Sequence, residues 1–109
     1  MSVGNLLKQT TTVAAANDAA TVFGLPSVGA VGIQITGTMT GTTISFEATV
    51  DNANWVALNC IPSNSGTAAS SATAVGVWTV NSGGYASIRA RCSTFASVSP
   101  VITVRYVGS

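Results

Sequence analysis

Apolar and polar residues alternate one by one over several short stretches of this chain. Ile44, Phe46, Ala48 and Val50 alternate with Ser45, Glu47, Thr49 and Asp51. Ile88, Ala90 and Cys92 alternate with Ser87, Arg89 and Arg91, and Ile102, Val104 and Tyr106 alternate with Thr103 and Arg105. A period of two belongs to a β-strand with one buried face, so the first set of each run is expected on a core and the second outside. Strands are predicted at 20–25, 30–36, 42–51, 55–61, 75–80, 85–93 and 100–107. Between them stand Gly37-Thr38-Met39-Thr40-Gly41, Asp51-Asn52-Ala53-Asn54, Pro62-Ser63-Asn64-Ser65-Gly66 and Asn81-Ser82-Gly83-Gly84. These are rich in residues that accept turn conformations.

No stretch sustains a helical period, and the Ala-rich runs 14–20 and 68–74 are broken by Asn, Ser and Thr. The pattern predicts an all-β fold: a single antiparallel β-sandwich of about seven to eight strands over residues 20–109. Its strand order stays open between immunoglobulin-like and jelly-roll connections. Residues 1–19 hold only Leu6-Leu7 and the run Thr10 to Ala16, so an extended N-terminal arm with at most one strand is expected there. Residues 63–74 are expected to form a loop that is mobile or ordered by a neighbour.

Composition narrows the function. The 109 residues suit one domain. Only 6% are charged, against about 25% in ordinary globular chains. There is no histidine, and Asp18, Glu47 and Asp51 are the only carboxylates. General acid–base catalysis needs a titrating group held at the substrate, so a binding or structural role is expected rather than an enzyme, with no cofactor and no small-molecule substrate. A net charge of +1 provides little mutual repulsion and favours association into a homo-oligomer. Four basic residues are too few for nucleic acid. No run approaches the ~20 apolar residues of a membrane span, and Met1 to Lys8 lacks the layout of a signal peptide. Synthesis in a cytoplasm is expected, with Cys60 and Cys92 reduced.

Each cluster of chemical interest has two readings. Glu47 and Asp51 on one strand, with Arg89 and Arg91 on another, form either a carboxylate site with guanidinium electrophiles or a cross-strand salt-bridge ladder. The ladder, worth about 0.2–1 kcal/mol per pair, is favoured because no nucleophile accompanies the charges. Asp51 to Asn54 offers one carboxylate where calcium takes several, so an Asx-type turn is favoured. Cys60 and Cys92 both fall on the inward parity; a disulfide is open to them, but two buried thiols are the commoner outcome. Trp55, Trp78, Tyr85 and Tyr106 are a sugar-stacking platform or, the favoured reading, core packing.

The run Ile44 to Trp55 carries Phe46-Glu47, Asp51 and Asn54-Trp55 around a turn. It resembles a segment of the small β-sandwich domains in tailed-bacteriophage virion proteins. Gly76-Val77-Trp78-Thr79-Val80, Gly83-Gly84-Tyr85 with Ile88 to Arg91, and Val101 to Arg105 resemble later parts of the same module. The similarity spans about residues 30–107. It departs at Asn52-Ala53, where that family more often has a glycine. The resemblance implies a structural virion role without an activity, in head or tail.

From it follows the expectation of a capsid cement or decoration protein, made in the host cytoplasm and bound to the major capsid protein on the virion surface. A neutral Ser/Thr surface suits such docking, since few charges lose water. The chain is expected to be the whole protein, a bare sandwich plus an N-terminal arm without a long linker or enzymatic partner domain. Leu6, Leu7 and Val13 of the arm are expected to anchor it and Lys8 to meet an acidic patch, with a homotrimer at a shell three-fold axis. A chain lacking residues 1–19 is then expected to fold yet bind poorly. The alternatives are a tail, adaptor or fibre component and, from another class, a carbohydrate-binding module exposing Trp78 and Tyr85.

Overall fold

A computed structural model describes residues 8–23, 25 and 29–107. The strands are β1 (Lys8–Thr12), β2 (Ala19–Phe23), β3 (Ala30–Thr36), β4 (Thr43–Thr49), β5 (Val56–Ala57), β6 (Ile61–Pro62), β7 (Ser71–Ala72), β8 (Gly76–Asn81), β9 (Ser87–Thr94) and β10 (Val101–Val107). They form two antiparallel sheets, β1-β10-β3-β8-β6 and β2-β9-β4-β5, with β7 also on β4. The pairings are nested: β1 with β10, β2 with β9, β3 with β8, β4 with β5. That is one long antiparallel ribbon rolled so that β10 meets β3 and β9 meets β4. Rolling in this way is the jelly-roll connection, which closes the choice of strand order left open above.

The core is made by the alternation read from the sequence. Val31, Ile33, Ile35, Ile102 and Val104 face inward from one sheet and Ile44, Phe46, Ile88, Ala90 and Cys92 from the other, all essentially without solvent exposure. Phe46 and Trp78 meet between the sheets with ring centroids 5.3 Å apart at 52°, a tilted packing that suits aromatic quadrupoles. Trp78 lies over Gly76 of its own strand, where a Cβ would come within 3.1 Å of the indole. The glycine is there because the ring needs the space.

The expected boundary at residue 20 moves. Lys8 to Thr12 form β1, and Val13 N–H donates to the Pro100 carbonyl at 2.9 Å. Val13 is fully buried. β1 is also tied to β2 in the opposite sheet. The Thr11 hydroxyl donates to the Ala19 carbonyl at 3.0 Å, and Thr21 N–H donates to Gln9 Oε1 at 2.5 Å. Residues 8–19 therefore belong to the sandwich rather than to an arm, because β10 would otherwise be an unpaired edge. Residues 1–7 of the expected arm, Leu6 and Leu7 among them, lie outside the described residues.

Three further expectations are corrected. The segment 55–61 is two strands, because the chain crosses between sheets at Leu58 and Cys60. Both are buried as members of the core cluster. The loop 63–74 is held by this chain's own β4. Ser71 and Ala72 pair with Ser45 and Ile44, Phe46 N–H donates to the Ser70 carbonyl at 2.8 Å, and Cys60 bridges Ala69. Val50 is 72% exposed while Thr49 is buried. Strand β4 ends at Thr49, and the turn that follows resets the alternation.

Cys60 and Cys92 are free and buried. Burial pushes the Cys60 thiol up to about 12 and raises that of Cys92, with the Asp18 carboxylate adding to the rise. Thiolate is the reactive form, so both thiols should resist a disulfide reagent at pH 8 in the native chain and react completely in guanidinium chloride. Rapid native-state labelling would contradict this burial. Truncation through Val13 should abolish the cooperative thermal transition in circular dichroism. A midpoint within about 5 °C of the full chain, the shift of a ~1 kcal/mol change, would show that β1 is dispensable.

Candidate functional site

Strands β4 and β9 lie in register, with Glu47 opposite Arg89 and Ser45 opposite Arg91. These side chains face outward because their neighbours Phe46, Ala48, Ile88 and Ala90 occupy the core. Glu47 Oε1 accepts from Arg89 Nε at 2.7 Å and from Arg91 Nε at 3.0 Å, while Oε2 accepts from Arg91 Nη2 at 3.1 Å. Arg91 thus grips the carboxylate with two nitrogens, the fork geometry that strengthens such pairs. Its Nη1 donates to Asn17 Oδ1 at 2.8 Å. The Trp55 ring covers Arg89, whose Cζ is 4.1 Å from the ring centroid, a cation–π contact worth about 0.5–1 kcal/mol at an exposed site.

Burial pushes the Glu47 pKa up, but hydrogen bonds from Arg91 and Arg89 and the attraction of both guanidinium charges outweigh it, leaving the carboxyl below its ordinary value. Both Glu47 oxygens are engaged, and among the described residues no nucleophile is hydrogen-bonded to it. The cluster is a tie: through Asn17 and Trp55 it binds two turns to the middle of one sheet. The first turn is also stitched by its backbone, with Asn17 N–H donating to the Cys92 carbonyl and Cys92 N–H to that of Asp18, both at 2.8 Å. The Asp18 carboxylate accepts from the N–H groups of Ala14 and Ala15.

Asp51 does not join the ladder, because the strand has already ended. Its Oδ1 accepts from the Thr49 hydroxyl and from the N–H groups of Ala53 and Asn54 at 2.8–2.9 Å, and its Oδ2 from Asn54 Nδ2 at 2.8 Å. The bonds from Asn54, backbone then side chain, followed by those from Ala53 and Thr49, hold its carboxyl far below the usual carboxylate range. This is the Asx-type turn read from the sequence. Asn52 takes a φ of 60°, a left-handed conformation that asparagine tolerates and glycine takes freely. It accepts a 2.6 Å bond from the Ser87 hydroxyl. Ser87 sat on the outward parity, and only the fold shows it buried under this turn.

The four aromatic residues do not share a platform. Trp78 is buried, Tyr85 and Tyr106 pack against the core, and Trp55 stacks on Arg89. Of the four residues expected to meet a partner, Lys8 is exposed on β1 and Val13 is inside the core, while Leu6 and Leu7 lie outside the described residues. Among the described residues no three His, Cys, Asp or Glu side chains gather as metal ligands would.

No protein-family model matches the chain, and no curated protein sequence is significantly similar to it. Solved structures share its fold. The SPBc2 prophage-derived protein YomS superposes with a TM-score of 0.73 at 16% identity, covering 92% of this chain and 93% of that one. The PBSX exported protein XepA superposes with a TM-score of 0.69 at 12% identity, covering 92% of this chain and 38% of that one. The chain thus spans nearly all of YomS but well under half of XepA.

Glu47→Gln should lower stability by about 1–2 kcal/mol, three charge-assisted bonds discounted for partial solvent access, as read by urea unfolding at pH 7. Because the folded carboxyl titrates below its ordinary value of 4.5, its stabilisation is complete above that pH and is lost as pH falls through the folded value. The difference between parent and variant should therefore be constant near neutrality and shrink below about pH 4.5. A difference that grows on acidification would mean the carboxylate is not held by the arginines.

Proposed function

We propose that this chain is a structural component of a tailed-phage particle, a cement protein bound to the major capsid protein on the outside of the head shell. The observation that carries this reading is the outer face of the β1-β10-β3-β8-β6 sheet. Thr10, Thr12, Gln34, Thr36, Thr79 and Thr103 stand outward on it. Such a face can be covered by another protein without stripping water from many charges, which is the main penalty of burying polar surface. The fold shared with a prophage-derived protein supports a phage context, and the family resemblance in the β4 and β8–β10 segments supports a virion one.

On this reading the docking element is the sheet face rather than an arm. Val13 is committed to the core, so it cannot anchor the chain on a neighbour. Association into a homo-oligomer at a shell symmetry axis gives several weak contacts one combined affinity. The chain acts by binding and not by catalysis.

Purified protein should co-sediment saturably with expanded shells that lack it, and should raise the temperature at which those shells release their contents. Isolated tails run in parallel decide the location. Binding to tails alone would move the chain to a tail, adaptor or fibre role. Binding to neither, with a positive glycan array, would replace the structural reading by carbohydrate recognition.

A further inference from the structure

The two sheets treat their cations differently. Arg89 and Arg91 are neutralised by Glu47. On the other sheet Lys8 of β1 stands directly opposite Arg105 of β10. Both are exposed, and neither has a hydrogen-bonding or ionic partner among the described residues. Opposed side chains on an antiparallel pair have their Cβ atoms about 4.5–5.5 Å apart, and like charges there repel. The three side-chain carboxylates cannot relieve the pair, because Glu47 is held by the arginines and Asp18 and Asp51 by their own turns.

The next residue in the same cross-strand row is Gly32. Nothing lies within 4 Å of the place its Cβ would occupy. Glycine weakens the middle of a strand and marks places where a ligand or another backbone comes close. Here it opens a trough of about 340 Å³ walled by Lys8, Arg105, Gln34, Thr103, Val77 and Val107. Its lining combines two cations, two neutral polar side chains and two valines.

We propose that this trough receives a carboxylate side chain of a partner polypeptide, gripped by Lys8 and Arg105 while the partner's backbone crosses over Gly32. The inference rests on the reading of this sheet face as the docking surface and names the chemistry of what docks there. An acidic polypeptide fits better than a phosphate polymer, whose binding needs more cations in a row. It fits better than a sugar, because no aromatic ring lines the trough to stack against one. The valine walls suit the apolar residues that flank an acid in an ordinary protein segment.

The test is a titration of the isotope-labelled full chain with poly-L-glutamate at low ionic strength, followed by amide shifts in NMR spectra. Saturable shifts centred on Gly32, Thr103 and Arg105 are expected. Arg105→Ala should weaken binding about tenfold, the loss of one charge-assisted contact. Gly32→Val should weaken it at least as much while keeping or raising the thermal midpoint, since valine suits a strand and meets no neighbour. Absent shifts, shifts centred on Arg89 and Arg91, or no effect of Gly32→Val would each overturn the proposal. Equal affinity for polyphosphate or polygalacturonate would overturn the assignment to a polypeptide. The titration uses no phage component, so its failure is distinguishable from failure to bind shells or tails.

Discussion

Strand β10 is the constraint on which the other arrangements depend. It lies between β1 and β3 and pairs with both, so the last described strand is an interior strand whose partner is the first described strand. Thr10 and Thr103, 93 residues apart, meet across this pairing. Closing so long a loop costs entropy before any contact forms, which makes such topologies slow to assemble. Once made, the pairing sets the register: Ile102 and Val104 inward, Thr103 and Arg105 outward. A slip of one residue would exchange the two sets, and with them the core and the outer face.

The remaining pairings nest inside this one, and each sheet then meets a different electrostatic problem. In the β2-β9-β4 sheet, two arginines on neighbouring positions of β9 would repel, and Glu47 on β4 neutralises both. Asn17 and Trp55 complete that cluster from two turns, and both oxygens of the Glu47 carboxylate are taken up within it. In the β1-β10-β3 sheet, two cations face one another beside a strand position without a side chain, and no described side chain supplies an acid. One face is finished within the molecule. The other leaves Lys8 and Arg105 without a counter-charge among the described residues, on the same face that the proposed docking uses.

The strength and the failures of the sequence pattern have the same origin. Period-two alternation is local, and where a strand is long and buried on one face it reads directly: the predicted 30–36 is β3 to the residue. It fails where a strand stops or changes sheet. Val50 continues the alternation of β4 but follows the end of the strand. Leu58 and Cys60 alternate correctly while the chain passes from one sheet to the other. The Thr-rich run at 8–12 has no apolar period because it is a sheet edge, held by β10 and by its own Gln9 and Thr11 side chains on the β2 backbone rather than by a buried face of its own.

What the sequence by itself determined was the class of structure and the scarcity of chemistry. Alternation dictates strands because successive side chains leave a β-backbone on opposite faces, and three carboxylates without histidine leave little for acid–base catalysis. The turn at Asp51 was also legible, since its bonds run only two or three residues along the chain. Tertiary structure alone decided which strands became neighbours. That choice put Glu47 under two arginines rather than one, left Asp51 out of the ladder and set Lys8 against Arg105 beside Gly32. Each of these depends on register between segments far apart in the chain, and local spacing carries no record of register.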